Sequence, residues 1–232
     1  MVAEAVGGVS GFCYTSLMDL APTDTFQFRR GAARVLLLAC GALGREIVAL
    51  IEANRWSDFD VECLPAIWHN TPDKIPGGLR EKIRAAKGKY QRILVLYGDC
   101  GTGGGIDKVI AEEAGGVPIE RIEGPHCYAF FSGNAKFEAA SQEEDMTVFY
   151  LTDYLARHFD KLVWSGLLGL DRHPELLKDY FGHYTKVVYL AQTEDAVLDA
   201  KAEAAARRLG LGYERRQVGY GEMEGFMRRG RG

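Results

Sequence analysis

Short apolar runs alternate along the chain with longer stretches whose apolar residues return at every third or fourth position. The run at 34–40, Arg34-Val35-Leu36-Leu37-Leu38-Ala39-Cys40, is apolar after its first residue and stops at Gly41. That is the pattern of a strand covered on both faces, as in parallel sheets. From 42 to about 54, Leu43, Ile47, Leu50 and Ile51 recur at helical spacing and predict a helix. A second strand is expected over 59–68, ending at His69-Asn70-Thr71-Pro72, before a basic amphipathic helix around 78–87. The third strand, 92–97, opens into Gly98-Asp99-Cys100-Gly101-Thr102-Gly103-Gly104-Gly105, with a helix over 105–114 behind it. A fourth strand, 117–122, ends at Glu123-Gly124-Pro125-His126-Cys127.

The second half repeats the rhythm. Short helical pieces at 128–131 and 137–140 lead to a polar loop at 141–145, a strand at 147–151 and a helix from 153 to about 162. Helical patterning returns at 174–180, followed by a strand at 186–191, a helix at 194–209, a strand at 213–218 and a last helix from Glu222. Strands alternating with helices in this way predict an α/β fold. The expected form is a mainly parallel open sheet with helices on both faces, with room for two Rossmann-like lobes. Residues 1–30 read as an irregular extension and 31–232 as the α/β domain, with 141–146 the one candidate lobe boundary.

Composition narrows the class. With 232 residues, 47% of them hydrophobic, the chain can bury a full core. A net charge of −4 and a pI near 5.8 give no reason to expect a nucleic-acid surface. Arg228, Arg229 and Arg231 read as a solvated end. No apolar stretch approaches the roughly 20 residues needed to cross a bilayer, so no membrane role is expected. Five cysteines without a secretory leader predict reduced thiols and a cytoplasmic protein.

The chemistry collects at the strand ends. The first four predicted strands end at Cys40, His69, Cys100 and Cys127, about 30 residues apart, the length of one βαβ unit. In an open parallel sheet all carboxyl ends lie along one edge, and ligands bind in the crevice outside them. Three thiols and one imidazole on one rim match the donors of a tetrahedral zinc site; iron or an iron–sulfur cluster also suits thiolates. Taken singly, Cys40 could equally be a small core residue and His69 a turn cap, whereas Cys100, in its glycine loop, favours function. Cys63 alternates with Val61 and Pro65 inside the second strand and reads as core. Cys13, in the extension, has no evident role. Asp99, Glu123 and His126 flank the rim as candidate acid, base or ligand-orienting groups, with a solvated or capping role as the plain alternative. Gly101, Thr102, Gly103 and Gly104 before a helix could receive an anionic group, although no Gly-Lys-Ser/Thr follows as a P-loop requires. His158, His173 and His183 read as structural or surface groups, and Tyr150, Tyr154 and Trp164 as core.

Several motifs together resemble the domain-of-unknown-function 1638 family. They are Cys40-Gly41-Ala42-Leu43; Leu64-Pro65 with His69-Asn70 and Pro72; Tyr97-Gly98 with Cys100-Gly101; Cys127 before Phe131-Ser132-Gly133; and Phe149-Tyr150-Leu151-Thr152. The resemblance spans roughly 34–226. One position departs, His126 standing where the family pattern carries an acidic residue. The resemblance implies a setting beside corrinoid-dependent methyl-transfer systems, hence one-carbon metabolism with a corrinoid or methyl-transfer partner protein. The expectation is therefore a metal-thiolate enzyme, zinc first, acting on a small molecule in methyl or one-carbon transfer. The alternatives are a metal-free enzyme with Cys100 as nucleophile, its pKa lowered by the following helix and a nearby histidine, and a non-catalytic metal- or cofactor-handling protein.

Overall fold

The apolar run after Arg34 forms strand β2, Val35–Cys40, buried along its whole length. The computed structural model describes residues 21–29, 33–143 and 147–231. Beside β2 lie β3 (Phe59–Leu64) and β4 (Arg92–Leu96), both parallel to it, and β5 (Ile119–Arg121) continues parallel beyond β4. A short strand β1, Phe26–Phe28, pairs antiparallel with β3 and completes the order β1-β3-β2-β4-β5. It lies within the stretch read from sequence as irregular. Three residues with one buried ring carry too little periodicity to announce a strand, and β3 supplies the pairing from outside. Residues 1–20, with Cys13, lie outside the described residues.

Helices cross between these strands. A 3-10 turn, Gly41–Leu43, leads into α1, Gly44–Ala53, and α2 is Lys74–Ala86. Helix α3, Gly105–Glu112, follows β4, and the short α4 (Cys127–Ser132) and α5 (Asn134–Glu143) follow β5. Helix α2 begins ahead of its expected start because Pro76 sits in its first turn, where a missing N–H costs nothing. The strand expected to reach Trp68 ends at Leu64, and Pro65 hands the chain to a 3-10 turn, Ala66–Asn70. His69 is therefore on that turn rather than on a strand end.

A second, fully parallel sheet follows: β6 (Val148–Thr152), β7 (Lys186–Ala191) and β8 (Gly212–Gln217), in the order β6-β7-β8. Its helices are α6 (Asp153–Phe159), which runs on into a π-helical segment Asp160–Leu167, α7 (Leu177–Phe181) and α8 (Ala196–Leu209). Asp195 caps α8 through Val197 N–H at 2.9 Å and Leu198 N–H at 3.2 Å, and Gly210, left-handed at φ 72°, ends it. The last helix, α9 (Met223–Gly230), returns to the first sheet. A Cβ on Gly230 would lie 2.2 Å from Leu94 Cδ1, and Arg231 pairs with Asp58 at 2.9 Å. The fold is thus α/β with mostly parallel sheets, two in number among the described residues. The chain passes from one to the other between β5 and β6; positions 144–146 of the expected boundary lie outside the described residues.

Candidate active site

The segments that follow or end the four parallel strands of the first sheet bring Cys40, His69, Cys100 and Cys127 to the same edge. Cys40 ends β2, is buried, and caps the following turn by accepting from Ala42 N–H at 3.4 Å. Its Sγ lies 3.6 Å from His69 Nδ1, which is also 3.1 Å from the Ala66 carbonyl. Nδ1 thus faces both the Cys40 thiol and the Ala66 carbonyl, and the ring's tautomer sets which of the two it serves. Burial alone would lower the His69 pKa. Its hydrogen bond to Cys100 and that thiol's charge outweigh burial, and the net shift is upward. His69 therefore stands between two thiols.

Cys100 is partly buried and holds φ 50°, a left-handed conformation rare for a residue with a side chain. Two bonds hold it there: Asp99 N–H donates to Gly124 O at 3.1 Å and Cys100 N–H to Pro125 O at 2.8 Å. They join the loop after β4 to the loop after β5. The join is close because position 98 is glycine; a Cβ there would meet the His126 backbone at 2.8–2.9 Å. Arg121 braces the same junction, forking onto Asp107 at 2.6 and 2.9 Å while donating to Tyr97 O at 3.0 Å.

Cys127 opens α4 and is partly covered; burial raises its pKa well above the ordinary thiol value, and the neighbouring Cys100 and Cys40 add to the rise. Cys40 is pushed up to about 12 by burial, with the Ala42 N–H pulling the other way. Cys40, His69, Cys100 and Cys127 thus lie within electrostatic reach of one another, and Cys63 is a core residue 1% exposed. Among the described residues no group of three or more His, Cys, Asp or Glu side chains stands ready to hold a metal ion. The Cys40–His69 pair approaches ligand spacing. Two ligands of one tetrahedral zinc, at the usual Zn–S and Zn–N lengths, stand about 3.5 Å apart.

The flanking candidates divide. The Asp99 carboxylate turns into its own loop and accepts from Thr102 Oγ1 at 2.8 Å, Gly104 N–H at 2.7 Å and Gly103 N–H at 3.0 Å. These amides were the ones expected to face an anion, and they are occupied by Asp99. Gly101 lies against Pro72, at 3.7 Å from an added Cβ, and serves the turn through its φ of 82°. Glu123 is exposed, and only its carbonyl is engaged, by Asn134 Nδ2 at 3.2 Å. His126 is exposed, and its ring lies among aromatic side chains, 6.2 Å from Tyr128 and 6.5 Å from Phe137.

Residues that the sequence reading passed over complete the picture. Tyr97 is 1% exposed and lies close to the Cys40, Cys63 and Cys100 thiols. Its hydroxyl finds no nitrogen or oxygen partner among the described residues, and the Cys40 thiol is the group it meets. A cleft of about 380 Å³ lies between the carboxyl edges of the two sheets, lined by Arg45 and Glu46 of α1, Arg157 of α6, Thr193 and Tyr220. Glu46 was legible: Leu43, Glu46, Ile47 and Leu50 share one helical face, so a carboxylate sits at a core position. Burial, with Asp153 nearby, raises its pKa to about 7.

The fold and the rim define an α/β protein with two mostly parallel sheets and a thiol–imidazole cluster at one carboxyl edge. The chain belongs to the family described as "Protein of unknown function (DUF1638)", whose model matches residues 63–227. Among solved structures it is similar to ornithine carbamoyltransferase from Pyrococcus furiosus at 14% identity and a TM-score of 0.25, covering 80% of this chain and 55% of that one. The chain thus spans about half the length of that protein. No curated protein matches. Among the described residues no helix is long and apolar enough to cross a membrane.

Proposed function

We propose that this protein is an enzyme whose rim residues Cys40, His69, Cys100 and Cys127 hold a thiophilic metal ion, zinc first, and that it acts on a small molecule in methyl or one-carbon transfer. The observation that carries the metal is the 3.6 Å separation of Cys40 Sγ and His69 Nδ1, the nitrogen giving up its contact with the Ala66 carbonyl when it ligates. The donor set is soft, as zinc and iron prefer. Cys100 and Cys127 would complete it by turning their side chains toward that pair. A bound metal would supply a Lewis acid or lower the pKa of a substrate thiol. The chain's own contribution is to hold the donors on one rigid edge and to limit water through Tyr97 and the buried strand ends. The methyl-transfer assignment, with its corrinoid or methyl-transfer partner protein, rests on the family resemblance.

Metal analysis after anaerobic, metal-replete purification is the direct test. About one thiophilic ion per chain is expected, falling sharply in Cys40→Ser and His69→Ala. Substoichiometric metal under those conditions sinks the metal reading. A second reading then takes its place, favoured by the upward shift that Cys100 imposes on His69: Cys100 as nucleophile, with His69 as the cationic partner that stabilises its thiolate. Its mark is selective alkylation of Cys100 in metal-free protein, lost in His69→Ala.

A further inference from the structure

The cleft between the two sheets contains a buried acceptor and a buried donor that do not satisfy each other. Glu46 is 5% exposed, and its Oε2 has no hydrogen-bond partner among the described residues. Arg157 is partly exposed, but its Nη1 is inaccessible to solvent and likewise has no hydrogen-bond partner among the described residues. Both line the same cavity of about 380 Å³. Leaving such groups unpaired costs on the order of 1–3 kcal/mol each, so two in one cavity point to something that binds them both.

Two of the neighbouring acidic groups, Asp153 and Asp195, are already engaged, and Glu194, which also lines the cleft, is exposed. Asp153 accepts from Tyr189 Oη at 2.7 Å, Gln192 N–H at 3.0 Å and both the N–H and the hydroxyl of Thr193, at 3.1 and 2.5 Å. Asp195 is spent on the first turn of α8. What remains is Arg157 Nη1 and the Glu46 carboxyl oxygen. Guanidinium groups fork onto carboxylates and phosphates alike; a Glu46 oxygen that asks for a donor on the same ligand, in so compact a cleft, favours a small carboxylate with a donor beside it.

We infer that this cleft binds a small carboxylate carrying a hydrogen-bond donor, a hydroxyl or an ammonium, on the adjacent carbon: the carboxylate sits on Arg157 and the donor on Glu46 Oε2. The cavity suits a compact acid; it is near the lower end of ligand-pocket volumes. Its walls come from the segments that follow the carboxyl ends of β2, β6 and β7, the edge at which open α/β sheets bind ligands. Glu46 lies within electrostatic reach of Cys40 and Cys127, so a charge held here is felt at the thiol rim. Only the ligand's role as substrate depends on the reading under Proposed function; its binding does not.

Calorimetric titration with L-lactate, L-alanine, propionate and inorganic phosphate tests the assignment, on protein as purified and after chelator treatment. L-lactate or L-alanine should bind saturably, about tenfold or more tighter than propionate. Glu46→Gln should erase most of that advantage, and Arg157→Met should abolish binding, with near-UV circular dichroism unchanged. Arg157→Lys, which keeps the charge, should retain weakened binding. Binding should survive chelation; its loss on metal removal would place the ligand on the metal and overturn the cleft assignment. The assignment also fails if propionate matches the substituted acids, if phosphate binds tighter than all three, or if no probe saturates because water alone fills the cleft.

Discussion

Gly98→Ala tests whether the close approach of two loops builds the thiol rim. The added methyl would lie 2.8 Å from both N and Cα of His126 and 2.9 Å from its carbonyl carbon, all of them backbone atoms. Ordinary carbon contacts are about 3.5–4.0 Å, so the His126 backbone must retreat by roughly 0.5–1 Å. It cannot retreat freely, because Asp99 N–H to Gly124 O at 3.1 Å and Cys100 N–H to Pro125 O at 2.8 Å hold the loops together. Overpacking of this kind costs about 1–3 kcal/mol, and weakening two backbone hydrogen bonds adds on the order of 1 kcal/mol. We expect a loss of roughly 2–4 kcal/mol in urea denaturation. Cys127, carried on the displaced segment, should also alkylate faster under native conditions. Gly77→Ala is the control: it lies within α2 with nothing inside 4 Å of an added Cβ, and should gain up to about 1 kcal/mol. A Gly98→Ala loss below about 0.5 kcal/mol, with Cys127 reactivity unchanged, would show that the loops are not held by this contact.

Other outcomes follow from the same geometry. Glu46, with a folded-state pKa raised to about 7, contributes stability that is full below the ordinary carboxylate range and is lost as pH rises through 7. Glu46→Gln should therefore remove a decline of roughly 3 kcal/mol between about pH 4.5 and pH 7.5, read as the difference between wild-type and variant urea curves at the two ends; parallel curves would refute it. Asp153 is 1% exposed and accepts four hydrogen bonds, so Asp153→Ala should cost about 3–5 kcal/mol. A change under about 1 kcal/mol would mean that water replaces the carboxylate. Asp99→Ala frees the Thr102 hydroxyl and the Gly103 and Gly104 amides, and should cost about 1–2 kcal/mol while altering the alkylation rate of Cys100. An unchanged rate would separate that loop from the thiol's environment.

The hydrophobic pattern was enough to announce the fold class. Strand β2 is apolar from Val35 to Cys40 because both of its faces are covered, and Lys186–Ala191 was legible at both ends for the same reason. The spacing of Cys40, His69, Cys100 and Cys127 was legible too, since consecutive parallel strands must end on one edge. Strand β1 was not, because its pairing partner lies about 35 residues away. The role of Asp99 was also hidden. The sequence shows a carboxylate before a glycine loop, and only the folded turn aims it at Gly103 and Gly104 rather than at a ligand.

Sequence by itself thus determined which residues could be buried, which strands could be parallel, and which thiols and imidazole would share a rim. These properties follow from local periodicity and from the geometry common to parallel sheets. Tertiary structure decided the rest: that β6–β8 form a separate sheet, that α9 returns to pack on β4, and that Glu46 and Arg157 face one cleft. Those two residues stand 111 positions apart. No local pattern connects them, and only the packing of one sheet's edge against the other brings an orphaned donor and an orphaned acceptor together.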